Sequence, residues 1–269
     1  HAASAPRVSF SKIHFTMNRT LLIKAAAMFA ALATALPLSA QKGNDVIDLD
    51  VNVANNHLWR GIEVSDGLVL TTALGVHDKK DRLHIGLWGG TNASGKYKEM
   101  NYFAELKCGG WKLALWDIYN FSPGAEYNNR EYFNYSARST GRFLDAILSY
   151  TFPEKFPLTL SWSTVVFGRD RNEDNSANKY STFVYAEYPF TIKEKWRLTL
   201  GCGGAFALNK AGSSATFYSN HPGIVHVEMR VERTLKVTRR YALPLHVSAV
   251  WNAECNRAFL QIGAKVLSF

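Results

Sequence analysis

The stretch Val46–Val76, VIDLDVNVANNHLWRGIEVSDGLVLTTALGV, decides the fold. Its first part alternates: Leu49, Val51 and Val53 are apolar, and Asp48, Asp50 and Asn52 are polar. Successive side chains of a strand point to opposite faces, so this period of two predicts a strand with one greasy face. The alternation resumes on Leu68, Leu70, Leu74 and Val76. Between them, the polar, glycine-bearing segment Trp59 to Gly67 reads as the loop joining two strands.

The same module repeats to the last residue with no amphipathic helix between its copies. After a charged turn at Asp78 to Asp81, Leu83, Ile85 and Leu87 open a third strand. Met100, Tyr102, Ala104 and Leu106 oppose Glu99, Asn101, Glu105 and Lys107 in a fourth, and Gly109-Gly110 turns it back. In the fifth, Trp111 to Phe121, Asp117 shares parity with Leu113 and Leu115, which predicts a bulge. Ser122 to Arg142 is a long Asn-, Tyr-, Arg- and Gly-rich loop, suited to cover or enter a pore mouth. Further strands follow on Leu144 to Phe152, Leu158 to Val166, Tyr180 to Phe190 and Trp196 to Cys202. Val225, Val227, Met229 and Val231 then oppose His226, Glu228, Arg230 and Glu232, and strands on Tyr241 to Trp251 and Ala258 to Phe269 end the chain.

The count is about twelve, an even number, over residues 41–269. Turns at one end are short: Asp78 to Asp81, Gly109-Gly110, Pro153 to Pro157, Thr191 to Lys195 and Thr234 to Arg240. Those at the other end are longer and more polar. This asymmetry predicts an all-β, up-and-down antiparallel transmembrane β-barrel, with short periplasmic turns and long outer loops. Trp59, Trp111, Tyr150, Phe152, Trp162, Tyr180, Tyr188, Phe190, Trp196, Tyr241 and Trp251 fall at or near strand ends, where an interfacial girdle would place them.

Bulk properties bound the function. Of 269 residues, 47% are hydrophobic, 13% aromatic and 20% charged, which excludes a disordered polyelectrolyte. A barrel hides in such numbers because only alternate residues meet lipid. The formal charge of +9 falls to +5 without Arg7, Lys12, Arg19 and Lys24, and no dense basic stripe accompanies it, so nucleic acid is not an expected partner. Cys108, Cys202 and Cys255 are far apart, and the histidines are scattered, so neither a disulfide framework, a metal site nor a cofactor is expected.

Residues 1–16 precede Met17 and stand outside the folded chain. Residues 17–40, with Arg19 early, an apolar run from Ala25 to Leu36 and Ala40 before Gln41, read as a cleavable signal peptide. The expected location is the outer membrane of a Gram-negative bacterium. Its lipid and the barrel-assembly machinery, which would read the last strand ending in Phe269, are the expected partners. Leu260, Ile262, Ala264 and Val266 have the opposite parity to Phe269, so either a bulge or register break intervenes near the terminus or the terminal Phe is coincidental.

Leu58-Trp59-Arg60-Gly61-Ile62-Glu63-Val64-Ser65-Asp66-Gly67 resembles the first-loop signature of the TorF-like outer-membrane porin family, an aromatic, then Arg-Gly-Ile, then Ser and Asp-Gly. Trp116 to Gly124 is similar to that family's Tyr-rich strand ending in Pro-Gly, with Asn120 and Ser122 departing from the usual tyrosines. The resemblance covers Asn44 to Gly124, and implies a porin barrel and its location rather than a substrate.

The function expected is passive or weakly selective passage of small solutes. Arg60, Asp66, Glu105, Lys107, Arg197, Glu228, Arg230 and Glu232 are the candidate pore-lining residues, on the face opposite lipid. Mixed charges there could instead pair and fill the interior, leaving a structural or surface-binding barrel. A hydrolase is the alternative of another class: His246 and Ser248 share a strand face, with Asn252 or Glu254 further on. A soluble lipocalin-like barrel or sandwich, its apolar face turned inward, is the remaining one.

Overall fold

The computed structural model describes residues 46–209, 214–239 and 241–268. Residues 1–16, the segment 17–40 expected to be a signal peptide, Arg240 and Phe269 lie outside the described residues. Twelve strands follow one another: β1 (Ile47–Trp59), β2 (Ile62–His77), β3 (Leu83–Asn92), β4 (Lys98–Cys108), β5 (Trp111–Asn120), β6 (Arg142–Thr151), β7 (Thr159–Gly168), β8 (Ser181–Ile192), β9 (Trp196–Ala207), β10 (Gly223–Lys236), β11 (Ala242–Asn252) and β12 (Arg257–Ser268). Each pairs antiparallel with its sequence neighbours, and β1 pairs with β12, so the sheet closes. Closure leaves no row of unpaired amides, the condition for a sheet in hydrocarbon.

The wall is greasy outside. Leu70, Leu74, Leu106, Leu113, Leu200 and Leu260 are among many large apolar side chains that stand exposed on the outer parity. At roughly 1.5–3 kcal/mol for each such side chain left in water, the belt would cost several times the stability of a folded domain. Lipid removes that cost, and the lipocalin-like alternative, with apolar residues inside, is overturned. Near the short-turn end the rings of Trp111, Tyr150, Phe152, Phe156, Tyr188 and Phe190 touch in sequence, with centroids 4.8 to 6.1 Å apart, as one arc of an interfacial girdle.

The connections are asymmetric as expected. Residues 78–82, 109–110, 152–158, 193–195 and 237–241 connect strands at one end; 121–141, 169–180 and 208–222 dominate the other.

Several local expectations are corrected. The segment Trp59 to Gly67 is not the loop: β1 reaches Trp59, β2 starts at Ile62, and only Arg60-Gly61 turn between them. Cross-strand hydrogen bonding, with register shifts at Ala54/Asn56 and His57/Leu58, carries the polar residues as strand. The bulge expected at Asp117 is absent, because β5 keeps an unbroken register with β4 and β6. Instead β7 bulges at Val166, opposite Leu144/Asp145. Val225, expected outward, is an extra residue opposite Gly203-Gly204 and turns inward to complete burial. Trp59 belongs to no girdle; it packs inside against Phe143, Phe217 and Tyr218. The register break near the terminus falls at Val266, skipped between Val51↔Leu267 and Asn52↔Lys265.

Candidate functional site

The tip of the first hairpin is the starting point. Arg60 and Gly61 have φ of 49° and 81°, the left-handed pair that a two-residue turn of right-twisted strands requires. Gly61 lies so close to β10 that a Cβ there would fall 1.8 Å from the Val225 carbonyl oxygen. Its own carbonyl accepts a hydrogen bond from Asn252 Nδ2 at 3.1 Å. The tip is thereby bent inward and docked on β10 and β11.

For arginine the left-handed conformation costs about 1–3 kcal/mol, so contacts must hold it. The guanidinium reaches across the lumen to β6, where Nη2 and Nη1 donate to Asp145 Oδ2 and Oδ1 at 2.5 and 3.2 Å. Nη1 also donates to Tyr218 Oη at 2.7 Å. Trp59, Phe183 and Tyr218 surround the cation, with ring centroids 4.8, 5.5 and 5.7 Å from its central carbon. Asp145 is 1% exposed, so a bidentate partner is what makes its charge tolerable there.

The loop 208–222 supplies Tyr218. The Phe217 amide donates to Ser181 Oγ at 2.8 Å, and Ser181 donates through its hydroxyl and amide to the two Asp170 oxygens at 2.8 and 2.7 Å. Burial pushes the Asp170 carboxyl above its usual range, and the Ser181 bonds pull the other way. Phe217 then packs on Phe143 with centroids 4.7 Å apart. An aromatic and ionic crossing thus spans the barrel near its long-loop end.

Two cavities flank the crossing. An outer chamber of about 1110 Å³ is lined by His57, Trp59, Trp88, Glu99, Trp116 and Arg169, among others. An inner one of about 730 Å³ reaches from Gly109-Gly110 to His226. Arg60, Lys112 and Ile147 line both. Of the candidate residues, Asp66 and Glu105 face the outer chamber, whereas Lys107, Arg197, Glu228 and Arg230 face the inner. Glu232 lines a third cavity of about 520 Å³ with Arg197, and the two pair at 3.6 Å. Arg230 bridges Glu187 and Glu228 at 3.2 and 3.3 Å, so these inner-wall charges are mutually compensated.

The long loop 121–141 divides. Ser122 to Ala125 and Tyr127 border the outer chamber. Tyr132 and Tyr135 fold over the outer wall, where Arg142 Nη1 donates to Asp117 Oδ1 at 2.8 Å and Nε to the Tyr132 carbonyl at 2.7 Å. Tyr132, Tyr119, Tyr135 and Tyr102 enclose that cation at 4.2 to 5.8 Å. Asp117, on a lipid-facing parity, is covered rather than bulged away.

The residues that parity missed are Phe217, Tyr218, Tyr127, Arg169 and Asp170, all on loops, where no period of two exists to read. His246 faces inward and bonds to Gln261 Oε1 at 3.2 Å rather than to Ser248, so the pair lacks the base-to-nucleophile contact a hydrolase needs. Among the described residues no cluster of three His, Cys, Asp or Glu could hold a metal ion, and all three cysteines are free.

No family model matches this sequence, and no curated protein matches it. Among solved structures, the COG4313 outer membrane channel from Pseudomonas putida F1 is similar, at 12% identity and a TM-score of 0.43, over 85% of this chain and 97% of that one. Pseudomonas aeruginosa OccK1 (OpdK) is similar at 14% identity and a TM-score of 0.35, over 87% of this chain and 67% of the other. The structure of OpdK with vanillate matches at 14% identity and a TM-score of 0.35, over 87% of this chain and 66% of that one.

Proposed function

We propose that the chain is an outer-membrane channel for small solutes, narrowed by the Arg60–Asp145–Tyr218 crossing. The observation that carries this reading is the pair of lumenal cavities, which extend from the Gly109-Gly110 turn to the long loops and meet at Arg60, Lys112 and Ile147. Charged walls on both sides of one narrow point make a filter that sorts by size and charge. The apolar outer belt, the short-turn asymmetry and the TorF-like first hairpin support the same membrane and family. Export by the segment 17–40, and assembly through the terminal strand, belong to this proposal.

Planar-bilayer recording on the refolded protein tests it. Discrete conductance steps are expected, with a conductance several-fold larger in Arg60→Ser, which removes the cation from the crossing. A wild-type protein that folds, by heat-modifiable gel mobility, and yet passes no current would refute the channel. The filled-barrel reading has an observation of its own, the buried ion pair inside an aromatic ring. It predicts a silent wild type and current only after Arg60→Ser.

A further inference from the structure

The outer chamber contains a cation that the crossing does not use. Arg169, the residue after β7, lines the chamber wall. Its guanidinium lies against Tyr127, Phe217 and Phe143, at 3.9, 4.7 and 5.1 Å from the ring centroids. Its Nε is shut off from solvent and has no hydrogen-bond partner. Burial pushes this guanidinium below its ordinary value, against the pull of Tyr127, Glu99 and Asp170.

The neighbouring carboxylates are engaged elsewhere. Asp170 is bound by Ser181, and Glu99 accepts from Asn101 Nδ2 and Asn120 Nδ2 at 2.8 and 3.3 Å. Asp145 is held by Arg60, and Glu105 sits 3.6 Å from Lys112. A half-buried cation with no counter-charge in contact is costly, and a ligand of opposite charge would offset that cost. By contrast Arg142, enclosed by four rings, has its own aspartate.

We infer that Arg169 anchors a binding site for a small organic carboxylate with a flat apolar body. The planar fork of a guanidinium matches a carboxylate through two parallel N–H donors. Beside it, Trp59, Trp116, Ile118, Phe143 and Phe217 form an apolar wall on which such a body would rest. The inference deepens the channel reading by naming a class of solute that dwells in the outer chamber.

Binding is measured apart from conduction. The folded protein in detergent is titrated with benzoate, benzyl alcohol and inorganic phosphate, following the fluorescence of its tryptophans, two of which, Trp59 and Trp116, line this wall. Benzoate is expected to bind, about tenfold more weakly to Arg169→Gln, with benzyl alcohol and phosphate binding poorly to both. Phenylglyoxal labelling of the wild type, read by mass spectrometry, keeps the test open if the variant misfolds: benzoate should protect Arg169. Equal benzoate affinity in wild type and variant, or equal Arg169 labelling with and without benzoate, overturns the site. Conductance without benzoate binding removes the site and leaves the channel; binding without conductance keeps the site and removes the channel.

Discussion

The barrel carries two arginine–aspartate pairs wrapped in aromatic rings, one inside and one outside. Arg60–Asp145 joins a hairpin tip to the opposite wall, with Tyr218 as a further acceptor. Arg142–Asp117 joins neighbouring strands on the outer wall, roofed by four tyrosines of β4, β5 and the long loop. The chemistry is alike and the surroundings are not. The inner cation, Arg60, borders both chambers and keeps 11% of its side chain exposed, whereas the outer one, Arg142, is 0% exposed beneath its tyrosines. An ion pair whose cation borders a chamber can serve as a movable narrowing, whereas one whose cation is fully enclosed serves as a rivet.

Charge removal should therefore cost more outside than inside. Asp117→Asn is expected to lose about 3–5 kcal/mol, since it leaves the Arg142 cation, 0% exposed, without its counter-charge. Urea unfolding in micelles, followed by gel mobility, measures this. The double change Arg142→Leu with Asp117→Leu should restore most of that loss while freeing residues 131–139 to protease. Asp145→Asn should cost less, about 1–3 kcal/mol, because the chambers can solvate Arg60. If the inner substitution proves the costlier, the contrast is wrong.

Gly61→Ala probes the inner frame without touching a charge. The new methyl meets the Val225 carbonyl at a φ of 81°, and a loss of about 2 kcal/mol is expected, with altered conductance as the hairpin tip moves. Tyr135→Phe should cost about 1 kcal/mol, the hydrogen bond from Tyr135 Oη to Asp117 Oδ2 at 2.6 Å. Burial and the Asp117 bond push the Tyr135 phenol up to about 12, so this bond persists over the whole physiological pH range. Phe133→Ser should change stability by less than about 0.5 kcal/mol, because Phe133 is 80% exposed and touches little beyond Tyr132.

The division of labour between chain and fold follows from these residues. Strand count, wall polarity and the short-turn end are readable from Leu70, Leu113 or Met229 because lipid selects every second side chain, and selection at a fixed period leaves a trace in the order of residues. Arg60 was also readable, as a charge at the tip of a hairpin. Its partners were not: Asp145 lies 85 positions away and Tyr218 158, and no local pattern links them. Periodicity reads Asp117 as a fault in a strand, since it cannot see that Tyr132 and Tyr135 cross the outer wall and supply its cover. Tyr127, Arg169 and Phe217 converge only when loops from three separate connections fold toward one mouth. Alternation is a property of neighbours along the chain, so it settles the wall; what the wall encloses depends on contacts between loops, which exist only once the sheet has closed.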